Sequence, residues 1–256
     1  MIGRRERTNL SGPAEGARVG RVVVVVPTYN EVENLGLLVP QVLEQDPRIE
    51  ILVVDDASPD GTGKLADELA AASPRVHVLH REAKQGLGPA YRAGLRRALD
   101  LGAELVVQMD ADFSHPPEAL PLLLREALDA DVAMGSRYVH GITVVNWPIE
   151  RILISYFGNA YTRAVLGLHV RDTTGGFRCM RRAALEAIGF ESIRSNGYAF
   201  QIEMNYRFQL QGARVREIEF FFLDRRRGTS KLTLRIALEA LWMVWWLRIE
   251  HWLGRL

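Results

Sequence analysis

Residues 21–27 read RVVVVVP, five consecutive valines closed by a proline. An unbroken β-branched run has no polar face. It predicts a strand buried on both sides, as in a parallel sheet covered by helices. The same character returns in IEILVVDD (49–56), RVHVLH (75–80), ELVVQMD (104–110) and DVAMGS (131–136). Between these runs, 31–45, 62–72, 88–101 and 117–129 carry helical spacing, with Pro89 near the start of the third, where its missing N–H costs nothing. Strand and helix alternate, so the fold class read from the pattern is α/β, a mostly parallel sheet flanked by helices. After residue 140 the rhythm changes. A long amphipathic helix is predicted over 146–167, a glycine-containing loop RDTTGGF over 171–177, a helix over 197–212 closed by Gly212, and a strand over 215–222. The stretch DRRRGTSK (224–231) reads as a basic loop.

Composition sets the outer limits. The chain has 256 residues, 48% of them hydrophobic, and a formal net charge of +1. That suits one sizeable globular domain and argues against a dedicated nucleic-acid binder, which carries a basic excess. A single cysteine, Cys179, excludes an intrachain disulfide and a multi-cysteine zinc site. Residues 1–20 are polar, arginine-rich and without an apolar stretch, so they read as a disordered tail rather than a signal peptide, and the protein as cytoplasmic. No segment is apolar and uncharged for the length a membrane-spanning helix needs. The division expected is therefore a tail (1–20), a catalytic-sized domain (21–231) and a C-terminal helix (232–256). That last segment holds Trp242, Trp245, Trp246 and Trp252, interrupted by Arg235, Glu239, Arg248 and Glu250. It reads either as a helix lying in a membrane interface or as one packing its apolar stripe on the domain.

In parallel sheets, ligands sit beyond the carboxyl ends of the strands. Three strands end there in polar loops: PTYNE (27–31), DDASPDGT (55–62) and DADFSH (110–115). Asp110 and Asp112 lie two apart, so in an extended chain they aim to one side. Two carboxylates that close repel unless a cation sits between them, and a hard divalent ion such as Mg²⁺ or Mn²⁺ bridging to substrate phosphates suits them. The competing reading is a structural turn, with Ser114 or His115 capping a helix that begins at Pro116 and Pro117. Of Asp55 and Asp56, one is expected to be structural and one to face the crevice. Asp60 reads as an Asx-turn residue. Tyr29 and Glu31 could line a nucleobase slot, although Thr28 with Glu31, or Asn30 with Glu33, also fits a capping box. Lys84, in KQGLGPA, reads equally as a phosphate partner or a solvated lysine. No GxGxxG follows the first strand and no Walker loop is present.

Taken in order, VVVVPTYNEVENL, VVDDASPDGT, KQGLGPAYRAG, MDADFSHPPE, GSRY, NWP, GYAFQIEM and DRRRGTSK resemble the family 2 glycosyltransferases, and among them the polyprenol-phosphate (dolichol-phosphate) mannosyltransferases. The resemblance implies a GT-A, Rossmann-like fold. It implies metal-dependent, inverting transfer of mannose from GDP-mannose to a polyprenyl or dolichyl phosphate, giving the β-mannosyl phosphate. By the same resemblance Pro27, Tyr29, Glu31, Val54 and Asp56 contact the guanosine, and Asp110, Ala111 and Asp112 meet the ribose, diphosphate and metal. Ser114 stands where some relatives have a glutamine near the metal. Arg137, Arg225 and Lys231 bind phosphates, and with Asp112 carry the chemistry. A phosphate monoester has a second pKa of about 6, so the acceptor arrives as a nucleophile and needs no general base. The partners implied are GDP-mannose, the lipid phosphate and a membrane surface, with a membrane-embedded partner subunit as a further one; no nucleic acid is among them. The alternatives are another donor such as UDP-glucose, a hydroxyl acceptor, or a non-catalytic nucleotide-sugar-binding subunit.

Overall fold

The computed structural model describes residues 20–223 and 234–256. The first half of the chain forms β1 (Val22–Thr28), α1 (Val32–Glu44), β2 (Ile49–Asp55), α2 (Thr62–Ala72), β3 (Val76–His80), α3 (Leu87–Asp100) and β4 (Leu105–Gln108). These alternate as the pattern predicts. The second half forms α4 (Leu120–Glu126), β5 (Val132–Ser136), β6 (Val144–Val145), α5 (Ile149–Leu166), β7 (Arg178–Arg181), α6 (Arg182–Ala187), α7 (Gly197–Leu210), β8 (Val215–Glu219), β9 (Phe222–Leu223) and α8 (Leu234–Trp252). The main sheet has the order β3-β2-β1-β4-β7-β5-β8, and β6 pairs with β9 in a separate two-stranded sheet.

The valines of β1 explain why the strand is central. Val22, Val24 and Val26 pack into one face with Leu35, Leu38 and Val42 of α1. Val23 and Val25 pack into the other with Tyr91, Leu95 and Ala98 of α3. Alternate residues of a strand serve opposite faces, so a run with no polar position needs a layer of helices on each.

One strand departs from the predicted parallel run. β7 pairs antiparallel with both β4 and β5. β5 therefore runs the same way as β4, and the C-terminal ends of β1, β2, β4 and β5 share one edge. Because β7 runs the opposite way, its incoming segment, RDTTGGF (171–177), reaches that same edge. The antiparallel insertion thus adds its own loop to the rim.

α8 packs on α5 and α7. Val244 and Leu247 are buried there with Leu166, Ile202 and Tyr206, while Trp242 and Trp252 are 69% and 66% exposed. The helix therefore docks by one face and presents tryptophan on another. No described helix is long and apolar enough to cross a membrane.

Candidate active site

The rim loops are held in strained backbone. Among the described residues, the non-glycine positions with positive φ are Asn30 (62°), Ala57 (55°), Phe113 (62°) and Asn146 (62°). The first three lie in loops singled out above, PTYNE, DDASP and DADFS; Asn146, predicted to open the helix over 146–167, instead lies in a bend ahead of α5, which begins at Ile149. Left-handed backbone costs about 1–2 kcal/mol per non-glycine residue, so it persists where the surroundings hold it, typically at functional sites.

In the DADFSH loop, Asp110 and Asp112 follow β4. Tyr91 Oη donates to Asp110 Oδ1 at 2.9 Å, and the Ser114 N–H donates to Asp112 Oδ1 at 3.1 Å. Burial, with Asp110 as its neighbour, drives the Tyr91 phenol well above its ordinary value, so it stays a donor. His115 does not cap a helix. Its Nδ1 accepts the Asp110 N–H at 3.0 Å, and its ring stacks on Phe177 with centroids 4.9 Å apart. Burial lowers its pKa despite the nearby aspartates, which agrees with a neutral ring protonated at Nε2. Ser114 supplies no side-chain cap either; the short 3₁₀ turn at Pro117–Ala119 starts uncapped. Both carboxylates thus help to shape the loop. Among the described residues no group of three or more His, Cys, Asp or Glu could hold an ion. Two hard oxygen donors beside an open cleft fit a divalent cation whose remaining positions go to a bound diphosphate or water.

In the DDASPDGT loop the two acids take different partners. Asp55 is structural: it accepts from Thr28 Oγ1 at 3.1 Å and from Ser58 Oγ at 2.6 Å. Asp56 pairs instead with Arg81. The capping boxes predicted for α1 do not form. Asp60 does that work from the next loop, taking the Val32 N–H at 3.2 Å on one oxygen and the Thr62 N–H at 3.0 Å on the other. Tyr29 and Glu31 are half-buried at the rim, and Lys84 Nζ lies 3.5 Å above the Tyr29 ring centroid. Pro27 and Val54 face each other in the β1–β2 register.

Arg137 closes the opposite wall. It is 6% exposed, and its Nε and Nη2 grip Asp172 at 2.7 and 2.6 Å, with its own N–H adding a bond at 3.1 Å. Nη2 also donates to Thr174 Oγ1 at 2.7 Å. Trp147, Tyr138 and Phe222 surround the guanidinium at 5.5–5.6 Å. Burial works against both charges, but each outweighs it for the other, so the Arg137 pKa is raised and the Asp172 pKa lowered. Asp172 is held in turn by Glu217, which accepts its N–H at 2.9 Å. In the sequence Asp172 is only one residue of the glycine-containing loop RDTTGGF, because a loop aspartate carries no signal of its partner. Arg151, also missed, stacks on Trp147 with its Cζ 3.8 Å from the ring centroid. One cleft of about 520 Å³ of open space is lined by Asp110, Ser114, His115, Arg137, Trp147 and Arg151, among others. Arg225 and Lys231 lie outside the described residues.

Comparison with known proteins agrees with this geometry. The model of glycosyl transferase family 2 matches residues 23–189. An undecaprenyl-phosphate mannosyltransferase of Micrococcus luteus is 48% identical over 220 residues, covering 86% of this chain and 90% of that protein. A polyprenol monophosphomannose synthase of Mycolicibacterium smegmatis is 48% identical over 245 residues, covering 94% and 92%. Among solved structures, a mannosyltransferase from Pyrobaculum calidifontis, in complex with GDP-Man and Mn²⁺, superposes with a TM-score of 0.61 at 21% identity over 94% of this chain and 68% of that one. That last likeness carries the GT-A fold; the first two carry the kinship. The chain belongs to glycosyl transferase family 2, among its polyprenol-phosphate mannosyltransferases.

Proposed function

We propose that this enzyme transfers mannose from GDP-mannose to a polyprenyl phosphate by a single inverting displacement at a membrane surface. The observation that carries the reading is the cleft itself, with Asp110 of the aspartate pair on one wall and a buried, clamped arginine on the other. Asp110 and Asp112 would hold a divalent cation, Mg²⁺ or Mn²⁺, which when bound neutralises the charge of the leaving diphosphate. Arg137 and Arg151 offer guanidinium groups to an acceptor phosphate entering past Trp147. Arg225 and Lys231 are assigned the same task from the basic segment.

The site residues support attack without a general base. Both oxygens of Asp172 are engaged by Arg137, and its lowered pKa makes it a poor proton acceptor. His115 Nδ1 is occupied by the Asp110 N–H. A dianionic phosphate needs neither of them. Tyr29, Glu31 and Asp56, with Pro27 and Val54, are assigned to the guanosine, and Ala111 to the ribose. Lys84 and Ser114 complete the donor set.

The membrane assignment rests on exposed apolar side chains. On α5, Ile149, Leu153, Ile154 and Phe157 are exposed, and α8 beside it exposes Trp242, Trp245 and Trp252. Tryptophan with arginine suits the headgroup zone. α5 begins two residues after Trp147, so this surface adjoins the cleft mouth.

The deciding experiment offers radiolabelled GDP-mannose, UDP-glucose or UDP-GlcNAc with polyprenyl phosphate, with and without Mn²⁺ or Mg²⁺. Label should enter the organic phase with GDP-mannose plus metal alone, and Asp112→Ala should abolish it. Full transfer by Asp112→Ala in excess chelator would overturn the reading.

A further inference from the structure

Sequence reasoning passes over Arg81, one of many arginines. The structure gives it a particular position. It leaves the end of β3, and its N–H donates to Asp55 O at 2.8 Å. Its Nη1 donates to Asp56 Oδ1, and its Nη2 to Gln85 Oε1 at 2.9 Å. The Arg81 and Asp56 side chains are 12% and 6% exposed. Among the described residues, no hydrogen bond engages Asp56 Oδ2. The carboxylate is therefore fixed by one oxygen and open at the other.

The support beneath Arg81 is rigid. Asn196, at the start of α7, donates from Nδ2 to Gln85 O at 3.1 Å and accepts the Gly88 N–H on Oδ1 at 2.8 Å. A Cβ at Gly88 would stand 2.6 Å from Ser195 O, so only glycine allows this approach. Tyr29 stands on the neighbouring strand end, since Thr28 is registered with Asp55. An aromatic ring and an oriented carboxylate thus sit side by side at the rim.

Nucleobases differ in what they present to such a carboxylate. Guanine offers two adjacent N–H donors, N1–H and the 2-amino group. Uracil offers one N–H between two carbonyl oxygens, which a carboxylate repels. We propose that Arg81 is the positioning residue that sets base selectivity: it turns Asp56 so that both carboxylate oxygens meet the paired donors of guanine. This rests on the assignment of Asp56 to the donor base. Oδ2 takes one donor, and the remaining lone pair of Oδ1 takes the other. Without Arg81 the carboxylate rotates and reads either base through a single bond.

The test is calorimetric binding of GDP, IDP, UDP and inorganic pyrophosphate, each with Mn²⁺, to the wild type, Arg81→Met and Arg81→Lys. IDP lacks only the 2-amino donor. The wild type should favour GDP over IDP by about tenfold or more, the range of a hydrogen bond to a charged group. Arg81→Met should bring that ratio near unity while Mn²⁺-pyrophosphate binding holds, and Arg81→Lys should keep part of it. A purely structural role predicts that all four ligands weaken together with ratios unchanged, and that result overturns the inference. A wild type that prefers UDP overturns both the GDP-donor reading and the guanine half of this one. A wild type that prefers GDP, with Arg81→Met keeping the same ratio, overturns the inference alone.

Discussion

Asp172 shows at the scale of one residue what the sequence alone hides. It is fully buried and makes three hydrogen bonds to Arg137. Asp172→Asn leaves a buried guanidinium without its counter-charge. Breaking such a pair costs about 3–5 kcal/mol, to be read from urea unfolding. In the refolded fraction kcat/KM should fall on the order of a hundredfold, because Arg137 loses its aim. Tyr91→Phe is the milder companion. It removes one bond to Asp110, so stability should change little while Mn²⁺-nucleotide affinity drops. Gly88→Ala meets Ser195 O head on and should cost about 1–3 kcal/mol in thermal melts.

Among the elements, β7 has the clearest consequence. It runs through the middle of the sheet and carries Cys179, wholly buried. Burial pushes the thiol up to about 12, so native protein at pH 8 should resist iodoacetamide and react only after denaturant is added. On α5, Phe157→Glu with Leu153→Glu should release the enzyme from anionic liposomes in co-sedimentation while GDP binding is kept. The elements also show where sequence reading succeeds. The β1 valines fix a two-sided strand by chemistry alone, and every element from β1 to β4 appears within two residues of its predicted ends. β7 was invisible: RCMR (178–181) has no apolar run, because Arg178 is buried in the interior, where it donates to Asn205 Oδ1 at 3.1 Å. Burial lowers its pKa to about 10, and no local pattern announces so unusual a core residue. The capping boxes failed for a related reason. Asp60 competes from another loop, and a window of four residues cannot contain it.

The whole molecule joins a regular half, from β3 to β4 in the sheet order, to an irregular half in which β7, α5 and α8 assemble the other wall. In the first half the acidic rim was legible from strand ends. In the second, Arg137 was legible but its clamp, which depends on contacts 35 residues away, was not. The clamp also shapes the acid limb of stability. Arg137 holds the Asp172 pKa below its unfolded value, so this stabilisation is complete above about pH 5 and is lost as pH falls through the folded value. Melting temperature should therefore fall less steeply between about pH 5 and pH 2 in Asp172→Asn than in the wild type. Trp147, finally, is the sole indole outside the C-terminal helix among five tryptophans. Its Nε1 has no partner among the described residues, and the Arg151 guanidinium sits over its ring. Replacing the other four with phenylalanine would leave a single indole, at the cleft mouth. A phosphate that draws Arg151 away would unquench it, giving an optical record of each acceptor's arrival.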